Sequence, residues 1–279
     1  MFLSLLHVNL GGDPEHPHPG RDWLRNIYRV HQRLWMAFPD AERRAKDEFF
    51  LDTWNGPPVP DPKPGRAEAG FLFRIEPDCP NILVQSVEPP HWAWAFQNAP
   101  YLLTCDPRVR EFDPWPQRDQ SYRFRLLVNV VRRRSLVHAD GTKRRTRPEL
   151  LRKRRAEVLI HPDPLPKQLP SDPVERKQLL AARWDPWRTW LAEIGKARGF
   201  RVLDDHEGPL TMEAIHMSVS RRERGRADPK VKRIDRRYNA GLFEGLLVCT
   251  DPDPLRNAVI NGIGNGKAFG LGLLSLRVR

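Results

Sequence analysis

Tyr28 and His31 are the residues of this 279-residue chain whose types and spacing best suit proton chemistry. They stand three positions apart in the segment 21–38, where Leu24, Ile27, His31, Leu34 and Phe38 recur at steps of three and four. Pro39 closes that pattern, so the spacing predicts one amphipathic helix with both side chains on the same face. An imidazole can move a proton at neutral pH, and a phenol can donate to a developing oxyanion. Spacing alone nevertheless favours core packing or a structural hydrogen bond for this pair. The other histidines are scattered, and His16 and His18 fall in a proline- and glycine-rich stretch that reads as a solvated loop. Three widely separated cysteines (Cys79, Cys105, Cys249) form no CxxC pair, so neither a zinc site nor a disulfide framework is expected. A metal-dependent nuclease would have to rest on Asp204 and Asp205, the weakest of the readings; no metal and no cofactor are expected.

A second kind of chemistry lies in the distribution of charge. The chain carries 47 Lys and Arg against 35 Asp and Glu, a net charge of +12. Residues 1–118 hold 13 basic and 16 acidic side chains, net −3, whereas residues 119–279 hold 34 and 19, net +15. Of the basic residues 37 are Arg, whose planar fork suits phosphate. A coding bias toward arginine would account for that ratio but not for the asymmetry. Two segments concentrate the charge. Residues 121–155 have 13 basic and two acidic positions, including Arg132, Arg133, Arg134, Lys143, Arg144 and Arg145. Residues 219–239 have nine basic and three acidic positions. In the latter, Arg221, Arg222, Arg224, Arg226, Lys230 and Lys232 lie between two candidate strands, on or beside the tip of a hairpin. A basic two-stranded ribbon can approach a duplex groove, with a salt-dependent affinity from phosphate contacts; a solvated basic loop is the plainer alternative.

Gly262, Gly264, Gly266, Gly270 and Gly272, with Lys267 among them, form a glycine-rich end that fails as a nucleotide-binding motif. It follows a helix rather than a strand, Ala268 stands where a phosphate loop needs Ser or Thr, and only seven residues remain after Gly272. A glycine loop against which RNA or another domain can approach the backbone is what remains.

The elements that must position these residues fall into two similar series. In the first, a strand over 2–9, the helix 21–38, a hairpin of Phe71–Glu76 with Ile82–Val87, a short helix over 91–97 and a closing strand over 101–104 give the order β-α-β-β-α-β. A weaker helical patch near 41–51 and a proline- and glycine-rich linker over 56–65 interrupt it. In the second, strands over 122–131, 200–203, 211–220, 242–249 and 273–278 alternate with helices over 186–198 and 254–262. The insertion 132–185 is too long for an ordinary connection. The expected fold is therefore α+β, two tandem ferredoxin-like (βαββαβ, RRM-like) domains. Residues 1–118 carry the candidate catalytic helix, and residues 119–279 form a basic RNA-binding domain with the insertion and the glycine loop 262–272. Apolar runs are strand-sized and the first ten residues lack a basic leader, so no membrane association is expected, and a cytoplasmic location is the default.

Three pieces in chain order resemble the CasE (Cse-type) CRISPR repeat endoribonucleases of type I-E systems. They are Met1–Ser4 with Tyr28–Trp35 and Phe38-Pro39; Tyr122–Leu126 running to Asn129; and Leu242–Gly245 with Gly262-Ile263-Gly264 and Gly270–Ser275. The resemblance implies metal-independent cleavage of precursor CRISPR RNA at the 3′ base of each repeat hairpin. In that reaction a 2′-hydroxyl attacks the adjacent phosphate and leaves a 2′,3′-cyclic phosphate and a 5′-hydroxyl. His31 would be general base or acid, and Tyr28 would orient or stabilise the scissile phosphate. The 221–232 hairpin would enter the groove of the RNA stem. The protein, a monomer when free, would retain the mature crRNA and join the other subunits of a Cascade complex. Two positions depart from the pattern: some members have a basic residue five positions after the histidine, where this chain has Met36, and Asn129 is followed by Val130 instead of proline. Arg33 or Lys267 would have to supply the missing charge. Loss of that charge suits the alternative, a non-catalytic RNA-binding subunit of the same fold in which Tyr28 and His31 merely pack.

Overall fold

A computed structural model describes residues 1–12, 18–38, 70–113, 115–135, 155–166, 168–203, 210–224 and 231–279. The weaker helical patch, the 56–65 linker, Asp204-Asp205 and His16 lie outside them.

Four antiparallel strands, β1 (Phe2–His7), β2 (Phe71–Ile75), β3 (Asn81–Ser86) and β4 (Arg108–Glu111), form the first sheet in the order β2-β3-β1-β4. Alternation along them sends Leu6, Phe71, Phe73, Ile82 and Val84 into a core shared with α1 (Pro19–Arg25), α2 (Ile27–Trp35) and α3 (Trp92–Phe96). Inside this core the Trp92 indole donates to Ser4 Oγ at 3.0 Å.

The second half contains β5 (Ser121–Asn129), β6 (Val131–Ser135), β7 (Arg155–Leu159), α4 (Pro173–Ala182), α5 (Asp185–Ala197), β8 (Phe200–Val202), β9 (Thr211–Arg224), β10 (Val231–Cys249), α6 (Pro252–Asn261) and β11 (Leu274–Val278). Its main sheet runs β11-β5-β10-β8, with β9 paired to the long β10. Phe124, Leu126, Phe243 and Leu247 pack on Trp187 and Trp190 of α5 and Leu255 and Val259 of α6. In the first half β1 lies between β3 and β4 with β2 at the edge, and in the second β5 lies between β10 and β11 with β8 at the edge, the strand order of a split βαβ unit.

Several boundaries differ from the sequence reading. The expected helix 21–38 is two helices broken at Asn26, whose side chain accepts the Arg29 backbone N–H and so starts α2 afresh. The closing strand of the first sheet is Arg108–Glu111, not 101–104; Pro100–Leu102 is a 3-10 turn and Leu103 makes only a single bridge to Val8. α6 starts at Pro252, two residues earlier than expected, because Asp251 is extended and proline is favoured at a first helical position. Within the insertion 132–185, β6 and β7 pair as a ribbon and α4 is capped by Asp172, which accepts from the Val174 and Glu175 amides.

β2 joins the two halves. Four of its five residues are buried, so both its faces are covered. Phe71 and Phe73 face α2, while Leu72 and Arg74 face the second half. The Arg74 guanidinium, only 2% of the residue being exposed, donates to the carbonyls of Arg125 and Leu273, both at 3.2 Å, and pairs with Glu76 at 2.7 Å. Arg125 in turn reaches Glu76 (3.1 Å), Asp78 (2.6 Å) and Glu244 (2.9 Å). Gln85 of β3 adds a buried bond to the Val259 carbonyl at 2.6 Å.

Candidate active site and nucleic-acid interface

His31 is buried on the inner face of α2, 8% exposed. Its ring stacks on Phe71 (centroids 5.5 Å apart) and Phe73 (6.1 Å), with Trp35 edge-on at 5.6 Å. These three aromatic rings exclude water, and burial lowers the imidazole pKa from 6.5 to about 4. The side chain is therefore neutral at pH 7. Its Nδ1 is buried and has no hydrogen-bond partner. A neutral imidazole with an uncommitted ring nitrogen can accept a proton. Tyr28, half-buried one helical turn earlier, packs against the same core.

What lies beside that turn comes from the other half. The glycine-rich segment folds as a 3-10 turn, Lys267–Phe269, between Gly266 and Gly270, both left-handed. Phe269 packs on the first core and lies 5.4 Å from the Tyr238 ring, while Met217 and Tyr238, at the base of the β9–β10 ribbon, join the same core. All five glycines have positive φ. At Gly270 a Cβ would press on Phe73 at 3.1 Å, and at Gly272 it would meet the Ile263 carbonyl at 2.4 Å. Those two positions thus need glycine both for conformation and for close approach. Asn129, at the end of β5, donates to the Asn265 side chain at 2.9 Å and ties the loop to the sheet. The loop consequently brings Lys267 to the seam beside α2. Lys267 is half-buried; burial lowers its pKa, and neighbouring Arg198 lowers it further.

Arg33 is set apart from this arrangement. Its guanidinium donates to the Ala95 carbonyl (2.9 Å) and Asn98 (2.7 Å) at the end of α3, and two residues along a helix do not face the same way as His31. Of the two replacements considered for the charge missing at Met36, Arg33 is engaged at the end of α3, and Lys267 lies on the 3-10 turn that contacts α2.

The basic positions divide. Arg221, Arg222 and Arg224 lie on β9, in register with Ile234, Arg233 and Val231 of β10, so they belong to the ribbon stem near its tip. Arg226 and Lys230 fall outside the described residues, as do Lys143, Arg144 and Arg145; Lys232 is on β10. Arg132, second residue of β6, pairs with Glu193 of α5, and Arg133 and Arg134 follow it on the strand. The structure thus brings Tyr28, His31 and Lys267 to one seam and mounts the β9–β10 ribbon beside them; it does not join the 132–134 segment to that group. Sequence reasoning missed Phe71 and Phe73 as the stack beneath His31, and Arg74, Glu76 and Arg125 as the link between halves. The alternation Phe71-Leu72-Phe73-Arg74, apolar on one face and mixed on the other, was the available signal.

Among the described residues no three His, Cys, Asp or Glu side chains cluster as a metal site, and no helix is long and apolar enough to cross a membrane.

Residues 1–278 match a family model described as CRISPR associated protein. The sequence is 26% identical over 282 residues to CRISPR-associated endoribonuclease Cse3 of Thermus thermophilus, covering 99% of both chains. It is 23% identical over 265 residues to the CRISPR system Cascade subunit CasE of Escherichia coli, covering 92% of this chain and 94% of the relative. In fold it is similar to CRISPR endoribonuclease Cse3 bound to a 19-nucleotide RNA, with a TM-score of 0.60 at 23% identity over 99% of this chain and 100% of the other.

Proposed function

Because the chain belongs to the CRISPR-associated protein family over residues 1–278, we propose that it is the endoribonuclease that cuts precursor CRISPR RNA at the 3′ base of the repeat hairpin. The observation that carries this reading is the position of His31, a neutral imidazole with a free ring nitrogen on α2, at the seam where the glycine-rich turn of the basic half packs. The relatives named as an endoribonuclease and a Cascade subunit support the same reading.

In the proposed reaction His31 takes the proton of the 2′-hydroxyl, whose oxygen bonds to the adjacent phosphorus as the bond from phosphorus to the 5′-oxygen breaks. The leaving oxygen takes up a proton, giving a 5′-hydroxyl and a 2′,3′-cyclic phosphate. Since its pKa lies near 4, His31 starts each event as a base; the imidazolium formed is a strong acid in that apolar setting and can return the proton to the 5′-oxygen. Tyr28 is placed one turn away to hydrogen-bond a non-bridging phosphate oxygen, and Lys267 offers the positive charge that Met36 does not. No step calls for a metal ion. The β9–β10 ribbon grips the stem, and the cleaved RNA stays bound as the protein takes its place in a Cascade complex.

One observation favours the non-catalytic alternative: stacking on Phe71 and Phe73 would hold a purely structural histidine equally well. Labelled repeat RNA incubated in EDTA separates the two readings. Cleavage to a product ending in a cyclic phosphate, together with an intact 2′-deoxy substrate that still binds, supports the nuclease; tight binding with no cut would establish the alternative.

A further inference from the structure

The face of the first sheet turned away from its own helices meets the second half at the Arg74 network and at α6, beside a cleft of about 1240 Å³. We propose that this cleft is a second RNA site, for single-stranded RNA that continues from the hairpin.

Its chemistry is cationic and aromatic. On the second sheet Arg123 of β5 and Arg277 of β11 stand directly opposite each other in register. Arg110 of β4, paired with Leu3, faces them from the first sheet. All three are exposed, and among the described residues none of their guanidinium groups makes a hydrogen bond or ion pair. Like charges directly opposite on neighbouring strands repel. Arg125, on the same face, shows the contrast: three carboxylates surround it. Two acidic side chains line the cleft, Asp113 and the Glu244 that Arg125 already holds, against the guanidinium groups of Arg110, Arg123, Arg277 and Arg279. An anion threaded between the sheets would remove that repulsion, and a phosphodiester backbone supplies anions at regular spacing.

Aromatic surface accompanies the charge. Trp115 lines the cleft with 55% of its surface exposed, and Arg256 lies over its ring at 4.5 Å; Phe112 lines the cleft nearby. An indole with a cation against it is a platform on which any base can stack. The helix-free face of a βαββαβ sheet is also the face on which RRM modules hold single-stranded RNA. Two such faces border this cleft, and the volume exceeds the ~300–1,000 Å³ usual for small-ligand pockets. β10 connects the two sites: the ribbon occupies its first half, and Glu244 to Leu246, further along the strand, line the cleft.

The inference rests on the chain being an RNA-binding protein, so its test uses a probe that needs no hairpin. Decauridylate carrying 4-thiouridine is titrated against the full chain and photocrosslinked, beside a repeat hairpin lacking single-stranded flanks. The proposal expects decauridylate to crosslink to the peptides holding Trp115 and Arg277. Arg123→Gln with Arg277→Gln should weaken decauridylate about tenfold, with hairpin affinity and cleavage unchanged. Trp115→Ala should weaken decauridylate with little change in its salt dependence. Decauridylate binding that neither variant alters, or crosslinks confined to the β9–β10 ribbon, would overturn it. So would preferential binding of an acidic peptide, which would assign the cleft to a protein partner. If decauridylate binds as expected while the hairpin is neither bound nor cut, the cleft stands and the repeat-processing reading fails.

Discussion

His31 carries a stability cost that can be measured apart from any activity. Its pKa is near 4 in the fold and near 6.5 in the unfolded chain, so the unfolded state binds the proton more readily. Stability is full above pH 6.5 and is lost as pH falls from 6.5 toward 4, by about 3 kcal/mol in all. Urea unfolding at pH 7 and pH 4.5 should show that loss in the wild type and a flatter dependence in His31→Gln; equal slopes would mean the imidazole is not buried neutral. Spacing singled out His31 and Tyr28 and favoured core packing for them, in keeping with the burial of His31; the catalytic role came from the family resemblance. Their environment was not legible, because the rings beneath His31 come from β2, forty residues later, and no local pattern links the two segments.

At the scale of elements, the break at Asn26 was hidden by an apolar periodicity that runs through it, with Leu24 and Ile27 serving two separate helices. The capping bond to Arg29 is what restarts the helix, so Asn26→Ala should cost about 1 kcal/mol, read as a lowered unfolding midpoint. The closing strand was misplaced for a similar reason: Tyr101–Thr104 has β-forming composition, whereas β4 is Arg-Val-Arg-Glu, exposed throughout and recruited only by pairing with β1. The β9–β10 ribbon was anticipated from its basic residues between two strands, and it is longer than expected because β10 runs unbroken from Val231 to Cys249. If its stem grips RNA, Arg221→Glu with Arg222→Glu should lower the slope of log affinity against log salt by about two. An unchanged slope would move the main contact to residues 132–155.

For the whole molecule, the +12 charge resolves into a slightly acidic half that holds the imidazole and a basic half that would hold the RNA. Catalysis then requires the halves to keep their register, and the Arg74 network holds it together with the Gln85–Val259 bond. Arg74→Met leaves the Arg125 and Leu273 carbonyls without their donor and Glu76 with one partner fewer, a loss of about 3 kcal/mol. Hairpin affinity should change little, since the ribbon is intact, while the cleavage rate of bound RNA falls. Rescue of the rate by Arg74→Lys is not expected, because one ammonium cannot span two carbonyls and a carboxylate as the guanidinium does. That the chain makes two βαββαβ units was legible in the order of its elements; that β2 links the first core to the second half was not, since it depends on a long-range contact made by an arginine in an otherwise apolar strand.

Single-turnover cleavage of one labelled repeat hairpin by wild type and by His31→Ala, with binding measured on the same RNA, decides whether His31 is the catalytic base. The variant should bind within a few-fold of wild type and leave the RNA whole. Cleavage by His31→Ala at the wild-type rate would contradict that role.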